Sequence, residues 1–204
     1  VHAGQLPALR LDVPALAPHL VHVGRGPTEV GDRAPEVGHP ADLAELAQHG
    51  ELRVGPARVR DSALLQQFYA VQAQRPLWTD PGARANLLVA VQGAQGDGLR
   101  PADYHLAALL TAPPDQAAET RGMDLVRSDA LIRLASHYFR GKLDPLSVEA
   151  EIDLHSPELG ADAIALLAGA IASGDIPGTL ERLAPQNELY RGLKRGLARY
   201  RDIA

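Results

Sequence analysis

Asp124-Leu125-Val126-Arg127-Ser128-Asp129-Ala130-Leu131-Ile132-Arg133-Leu134-Ala135-Ser136-His137-Tyr138-Phe139 is the stretch that decides the fold. Within it Leu131, Leu134, Ala135 and Tyr138 recur at i, i+3, i+4 and i+7, which lays one apolar stripe along a helix. Gly141 stops that helix, and the Pro113-Pro114 pair breaks the chain before it, so it is expected to run from about Asp115 or Asp124 to Phe139. It is the longest element the sequence predicts.

Helices flank it on both sides by the same spacing and capping rules. Downstream, Ser156 followed by Pro157 reads as a cap and first turn for a helix over 158–172, closed by Ser173-Gly174. A short helix follows around Leu180. A final one, capped by Asn187, is expected to turn Leu189, Leu193, Leu197 and Tyr200 inward. Upstream, Pro101 opens a helix running through Leu110, after a turn at Gly96-Asp97-Gly98. Ala83 to Gln95 carries Leu87, Leu88 and Val91 at helical spacing. Asp61-Ser62 starts another helix, bearing Leu64, Leu65, Phe68, Tyr69 and Val71 and ended by Pro76. Asp42 to Ala47 forms a short one that stops at Gly50.

The count gives an all-α fold, a compact bundle of about seven or eight helices over residues 41–204. Residues 1–40 differ in kind, with six prolines, five glycines and no aromatic residue, which is the chemistry of an arm or linker. No repeat at a fixed period of 20 to 50 residues suggests a solenoid.

Composition bounds the function. The chain has 204 residues, 46% hydrophobic but only 4% aromatic, so Leu, Ala, Val and Ile must build the core, a mixture suited to closely packed helices. A formal net charge of −5 offers no overall field for nucleic acid or an anionic membrane. No run approaches the roughly 18–20 apolar residues that span a bilayer. The first 30 residues lack the apolar core of a signal peptide and Val1 opens the chain, so the sequence is expected to start after any targeting signal. The absence of cysteine removes disulfides, thiolate metal sites and cysteine nucleophiles together.

Catalytic motifs are missing as well. None of the six serines (Ser62, Ser128, Ser136, Ser147, Ser156, Ser173) sits in a Gly-x-Ser-x-Gly or Ser-x-x-Lys neighbourhood, and there is no His-Glu-x-x-His or Walker loop. His19 and His22 are three apart but lie in the proline-rich arm with no evident third ligand, and read as solvated side chains. His137 lies beside the apolar stripe, as a hydrogen-bonded structural imidazole would. Val148 to Leu154 alternates like an extended segment, which sends Glu149, Glu151 and Asp153 to one side. Such a row could hold a hard cation or cleave a glycan, although exposed carboxylates on an edge segment are routine. Arg191, Lys194, Arg195, Arg199 and Arg201 on the final helix suit its C-terminal dipole better than a nucleic acid. Trp78 is expected to anchor two helices rather than stack on a sugar. We therefore predict no catalytic, cofactor or metal residue in this chain, and no enzyme activity of its own.

Four phrases, in order from about residue 42 to 204, resemble the scaffold domain of the large L,D-transpeptidases, enzymes that cross-link peptidoglycan. They are Leu65-Gln66-Gln67-Phe68-Tyr69 with Arg75-Pro76-Leu77-Trp78-Thr79-Asp80; Asp97-Gly98-Leu99-Arg100-Pro101-Ala102-Asp103-Tyr104-His105-Leu106; Ser128-Asp129-Ala130-Leu131 with Arg140-Gly141-Lys142-Leu143-Asp144-Pro145; and Leu183-Ala184-Pro185-Gln186 with Tyr190-Arg191 and Leu197-Ala198-Arg199-Tyr200-Arg201. The resemblance implies a non-catalytic scaffold or interaction domain in the cell envelope or periplasm. It would serve a protein partner or a C-terminal catalytic domain of a longer L,D-transpeptidase, with peptidoglycan nearby. In that family the nucleophilic cysteine and the peptidoglycan-binding module lie in other domains, so no active-site residue has a counterpart here. A helical adaptor of another envelope complex is the alternative, with a glycan-acting enzyme using Glu149, Glu151 or Asp153 behind it.

Overall fold

The computed structural model describes residues 39–60, 62–72, 75–112, 122–142 and 159–203. The fold is all-α: among the described residues there are eight α-helices, two 3₁₀ turns and one small β-hairpin. Helix α1 (His39–His49) begins inside what the sequence suggested was arm. It ends as expected at Gly50, where φ is +70° and the N–H bonds back to the Leu46 carbonyl.

The hairpin is an element the helical reading of the sequence did not include. Strands β1 (Glu51–Val54) and β2 (Ala57–Arg60) pair antiparallel, Glu51 opposite Arg60 and Val54 opposite Ala57. Gly55 has φ +54° and Pro56 follows it. A positive φ at the first turn position, then a residue locked at negative φ, is the sign pattern of a type II′ turn. Leu52, Val54, Ala57 and Val59 are buried on one face, the period-2 pattern of a strand pair with one face on the core.

Helix α2 (Ala63–Val71) starts where expected, the Ser62 hydroxyl accepting the Leu65 N–H at 3.2 Å, but stops at Val71, well before Pro76. Helix α3 (Pro81–Gly93) is capped by Asp80, whose carboxylate accepts the Ala83 N–H at 2.8 Å. It tightens into a 3₁₀ turn (Ala94–Asp97) that Gly98 ends in the left-handed region. The single helix expected over 101–110 is instead a 3₁₀ turn (Pro101–Tyr104) and helix α4 (Leu106–Thr111), divided at His105 with φ +59°.

Helix α5 (Met123–Arg140) is the centre of the bundle. Leu131, Leu134 and Ala135 are buried as the stripe requires, and Leu125, Val126, Ala130 and Ile132 are buried beside them. Neighbours on nearly every side explain this, since α1, α2, α3, helix α7 (Ile176–Leu183), β2 and the 3₁₀ turn Pro101–Tyr104 all pack on α5. Gly122 begins it at φ +82°, and a Cβ there would lie 2.5 Å from Val54 Cγ2. The hairpin therefore rests directly on the start of α5, where glycine alone fits.

Helix α6 (Ala161–Ser173) starts after Gly160, three residues later than expected. Ser156-Pro157, the row Glu149, Glu151, Asp153, and His19 and His22 all lie outside the described residues. Asp175 caps α7 through the Gly178 N–H, and Asn187 caps helix α8 (Glu188–Arg201) through the Tyr190 N–H.

The expectation for α8 is overturned. None of its residues is fully buried, and Leu189, Leu193 and Tyr200 are 73%, 66% and 78% exposed. Only Leu197 of the expected inward row is partly covered. On the helical wheel Leu197 shares a side with Tyr190, Lys194 and Arg201, whereas Leu189, Leu193 and Tyr200 fall within about 40° of one another, further round. The polar side docks.

Candidate functional site

Two buried polar joints position everything else. The first surrounds Asp124 at the start of α5. Its Oδ1 accepts the backbone N–H groups of Leu77 and Trp78, each at 3.0 Å, and its Oδ2 accepts the Tyr69 hydroxyl at 2.7 Å. Trp78 Nε1 donates to Ser128 Oγ at 2.9 Å, and Ser128 Oγ lies 2.6 Å from the Tyr69 oxygen. Since the Trp N–H and the Tyr proton are both committed, Ser128 donates to Tyr69, and the protons run in one direction from Trp78 to Asp124. Burial, then the Asp124 charge, holds the Tyr69 pKa well above its usual value, so it stays a donor. Trp78 is 1% exposed, the core anchor the sequence suggested.

The second joint is Asp97, whose side chain is only 8% exposed. Tyr138 of α5 donates to its Oδ2 at 3.0 Å, while Tyr190 donates to Oδ1 at 2.9 Å and the Lys194 ammonium sits 2.6 Å from the same oxygen. Burial first, with Asp97 adding to it, raises the pKa of both tyrosines, so both remain protonated. Arg201 donates to the Gln95 carbonyl, and Leu197 lies over Gly98, where a Cβ would meet it at 3.7 Å. Helix α8 is thus fastened mainly by polar groups. Hydrogen bonds to a shielded charge contribute about 1.5–3 kcal/mol each, and the Lys194 pair less because its ammonium is half exposed.

A cleft of about 550 Å³ opens between α3, α7 and α8, with Val89, Leu180, Pro185, Tyr190 and Lys194 among its walls. Its tyrosines are donors, its aspartate is satisfied by three partners, and among the described residues no nucleophile with an adjacent base lines it. A second groove, about 770 Å³ between α2 and α6, is lined by Ala161, Ala165, Ala168 and Ala172 with Gln67 and Val71, and among the described residues its walls carry no ionisable group. Among the described residues, no three histidine or acidic side chains gather as a metal would require.

One buried pair resembles half of a catalytic relay. His105 Nε2 lies 2.6 Å from Asp129 Oδ2, and Arg133 Nε lies 2.8 Å from the same oxygen. Among the described residues no hydroxyl joins His105, and the contact fastens the left-handed junction between the 3₁₀ turn and α4 to α5. His137 Nδ1 meets the Tyr104 hydroxyl at 2.8 Å, the rings edge to face at 5.6 Å. Burial lowers the His137 pKa, with Lys142, Arg140 and Arg133 adding to it, and burial pushes Tyr104 up to about 12, so Tyr104 donates to a neutral imidazole.

The cations of α8 are partly engaged. Arg191 pairs with Glu188 at 2.7 Å and Arg195 lies 3.9 Å from it, Lys194 is held by Asp97, and Arg199 has no ion pair among the described residues. Beside them runs the exposed row Leu189, Leu193 and Tyr200, with Ile203 (83% exposed) just past the helix end. Each such side chain left in water forgoes about 1.5–3 kcal/mol of burial. The other large exposed apolar residues, Val71, Val89, Leu110 and Phe139, lie on four different helices. The α8 face is therefore the candidate functional surface: an aligned apolar row on a helix fixed from behind.

Asp97, Tyr190, Asp124 and the His105–Asp129 pair were not singled out by sequence reasoning. Most of them lie inside the four quoted phrases, which the fold brings together: the first meets the third at Ser128, and the second meets the fourth at Asp97 and the third at Asp103–Lys142. No curated protein and no solved structure matches the chain. A family model described as Scaffold domain matches residues 63–197, a span that holds both joints and most of α8.

Proposed function

The chain belongs to the Scaffold domain family, and on that premise we propose that it serves peptidoglycan remodelling in the cell envelope as a non-catalytic scaffold. Its role is to position an L,D-transpeptidase catalytic domain or dock a protein partner of that machinery, in the periplasm. The observation that carries the reading is that the four phrases resembling the scaffold of large L,D-transpeptidases converge on shared polar joints. The polar groups of these phrases hold the shape, and the apolar row of α8 is left for contact. In the two joints the hydroxyls of Tyr69, Ser128, Tyr138 and Tyr190 and the carboxylates of Asp124 and Asp97 are hydrogen-bonded to one another, which suits rigidity and does not poise them to attack a substrate.

The experiment is genetic and chemical. Deleting the segment encoding residues 63–197 should lower the share of L,D cross-linked muropeptides in the cells that make the protein. The purified chain incubated with muropeptides should form no cross-linked product. An unchanged muropeptide profile would overturn the peptidoglycan assignment, and product from the purified chain would overturn the non-catalytic one.

A further inference from the structure

We propose that the outward face of α8 docks an amphipathic helix of a separate protein whose apolar seam is bordered by carboxylates. This deepens the scaffold reading and rests on it.

Three observations identify the occupant. Leu189, Leu193 and Tyr200 form one row at i, i+4 and i+11, extended by Ile203, which is the spacing that receives a second helix. The charge beside that row is one-sided. From Glu188 to Arg201 the helix carries five cations (Arg191, Lys194, Arg195, Arg199, Arg201) against the single anion Glu188, on a chain whose net charge is −5. Lys194 and Arg201, on the side facing the body, are held by Asp97 and the Gln95 carbonyl, whereas Arg199, with Arg195 and Arg191 further round, keeps the outer side cationic, so carboxylates flanking an incoming seam would meet cations on that outer edge. A second copy of the chain would set arginines against arginines, which disfavours self-pairing.

The third observation separates a helix from a membrane surface. Gly192 and Gly196 sit one turn apart next to the row, inside an exposed helix where glycine is unfavourable. Among the described residues nothing needs them: a Cβ at Gly196 would meet no atom within 4 Å, and one at Gly192 only the tip of Arg195. A lipid surface gains nothing from a missing side chain. A second helix does, because its backbone can approach closely there.

The test uses fluorescence anisotropy with the full chain and two synthetic helical peptides. Both carry a leucine seam; one is bordered by Glu and the other by Lys. We expect the Glu peptide to bind at least about tenfold more tightly, and Leu193→Asp, at an exposed position, to abolish binding without lowering Tm. The double variant Gly192→Ala/Gly196→Ala should raise Tm while weakening the Glu peptide, opposite movements that misfolding does not produce. Equal binding of both peptides, binding of neither, or undiminished binding by the alanine variant overturns the proposal. So does a dimer in sedimentation that Leu193→Asp dissolves, or Leu193-dependent binding to phosphatidylglycerol vesicles. If peptide binding fails while the muropeptide profile still depends on residues 63–197, the docking proposal falls and the scaffold reading stands. The reverse pair removes the peptidoglycan assignment and leaves the docking face.

Discussion

Replacing Trp78 by Ala removes the largest buried side chain of the core together with a donor in the Asp124 joint. Trp78 is the only tryptophan and is 1% exposed, and its Nε1 donates to Ser128 at 2.9 Å while its backbone N–H donates to Asp124 at 3.0 Å. Truncation of a buried Trp costs about 3–5 kcal/mol through lost burial and the cavity left behind. Loss of the donor leaves the Ser128 oxygen short of a partner, which places the cost toward the upper end of that range. At about 2–4 °C per kcal/mol for a chain of this size, Tm should fall by roughly 10–20 °C. Trp78→Phe keeps most of the apolar bulk and loses the N–H, so it should cost only about 1–2 kcal/mol. In a double-mutant cycle with Ser128→Ala it should show a coupling near 1 kcal/mol. Calorimetry and the blue-shifted emission of the wild-type Trp give the two readouts. A Trp78→Ala chain melting within about 2 °C of wild type, with red-shifted native emission in the parent, would refute the anchor role.

Gly122→Ala should destabilise by about 2–4 kcal/mol, because it adds left-handed strain to a 2.5 Å contact with Val54, and denaturant titration measures it. Asp97→Ala strips Tyr138, Tyr190 and Lys194 of their acceptor, so amide exchange over 188–201 should accelerate while exchange in α5 changes little. His137 is held below its usual pKa by burial and nearby cations, so the unfolded chain binds the extra proton first. Its stabilising share is therefore full above about pH 6.5 and is lost as pH falls below that value. Tm of the wild type should drop between about pH 7.5 and 5.5 more than that of His137→Asn, and equal drops would contradict this.

The helical core was legible because its causes are local. Leu131, Leu134 and Ala135 announce α5 by spacing, and Ser62, Asp80 and Asn187 cap helices through contacts three residues away. The hairpin was missed because Leu52-Arg53-Val54-Gly55-Pro56-Ala57-Arg58-Val59 is short, and Gly-Pro reads first as a helix terminator rather than as a turn between strands. His105 was hidden for a tertiary reason, since its left-handed backbone is held by Asp129, 24 residues away. The α8 expectation failed on an assumption. An apolar row was equated with an inward face, whereas the docking face is chosen by Asp97, 93 residues before Tyr190, and periodicity alone says nothing of that partner. The candidate surface was thus visible as a pattern but assigned to the wrong side.

If the chain holds a rigid shape for others and offers α8 for contact, altering the exposed row alone should impair its role. Leu193→Asp introduced into the cells that make the protein, with the muropeptide profile read out, changes the exposed row and leaves both polar joints intact. Cells carrying it should hold normal amounts of folded protein and show a fall in L,D cross-linked muropeptides approaching that of deleting residues 63–197. A wild-type profile from cells holding normal amounts of the folded variant would contradict it.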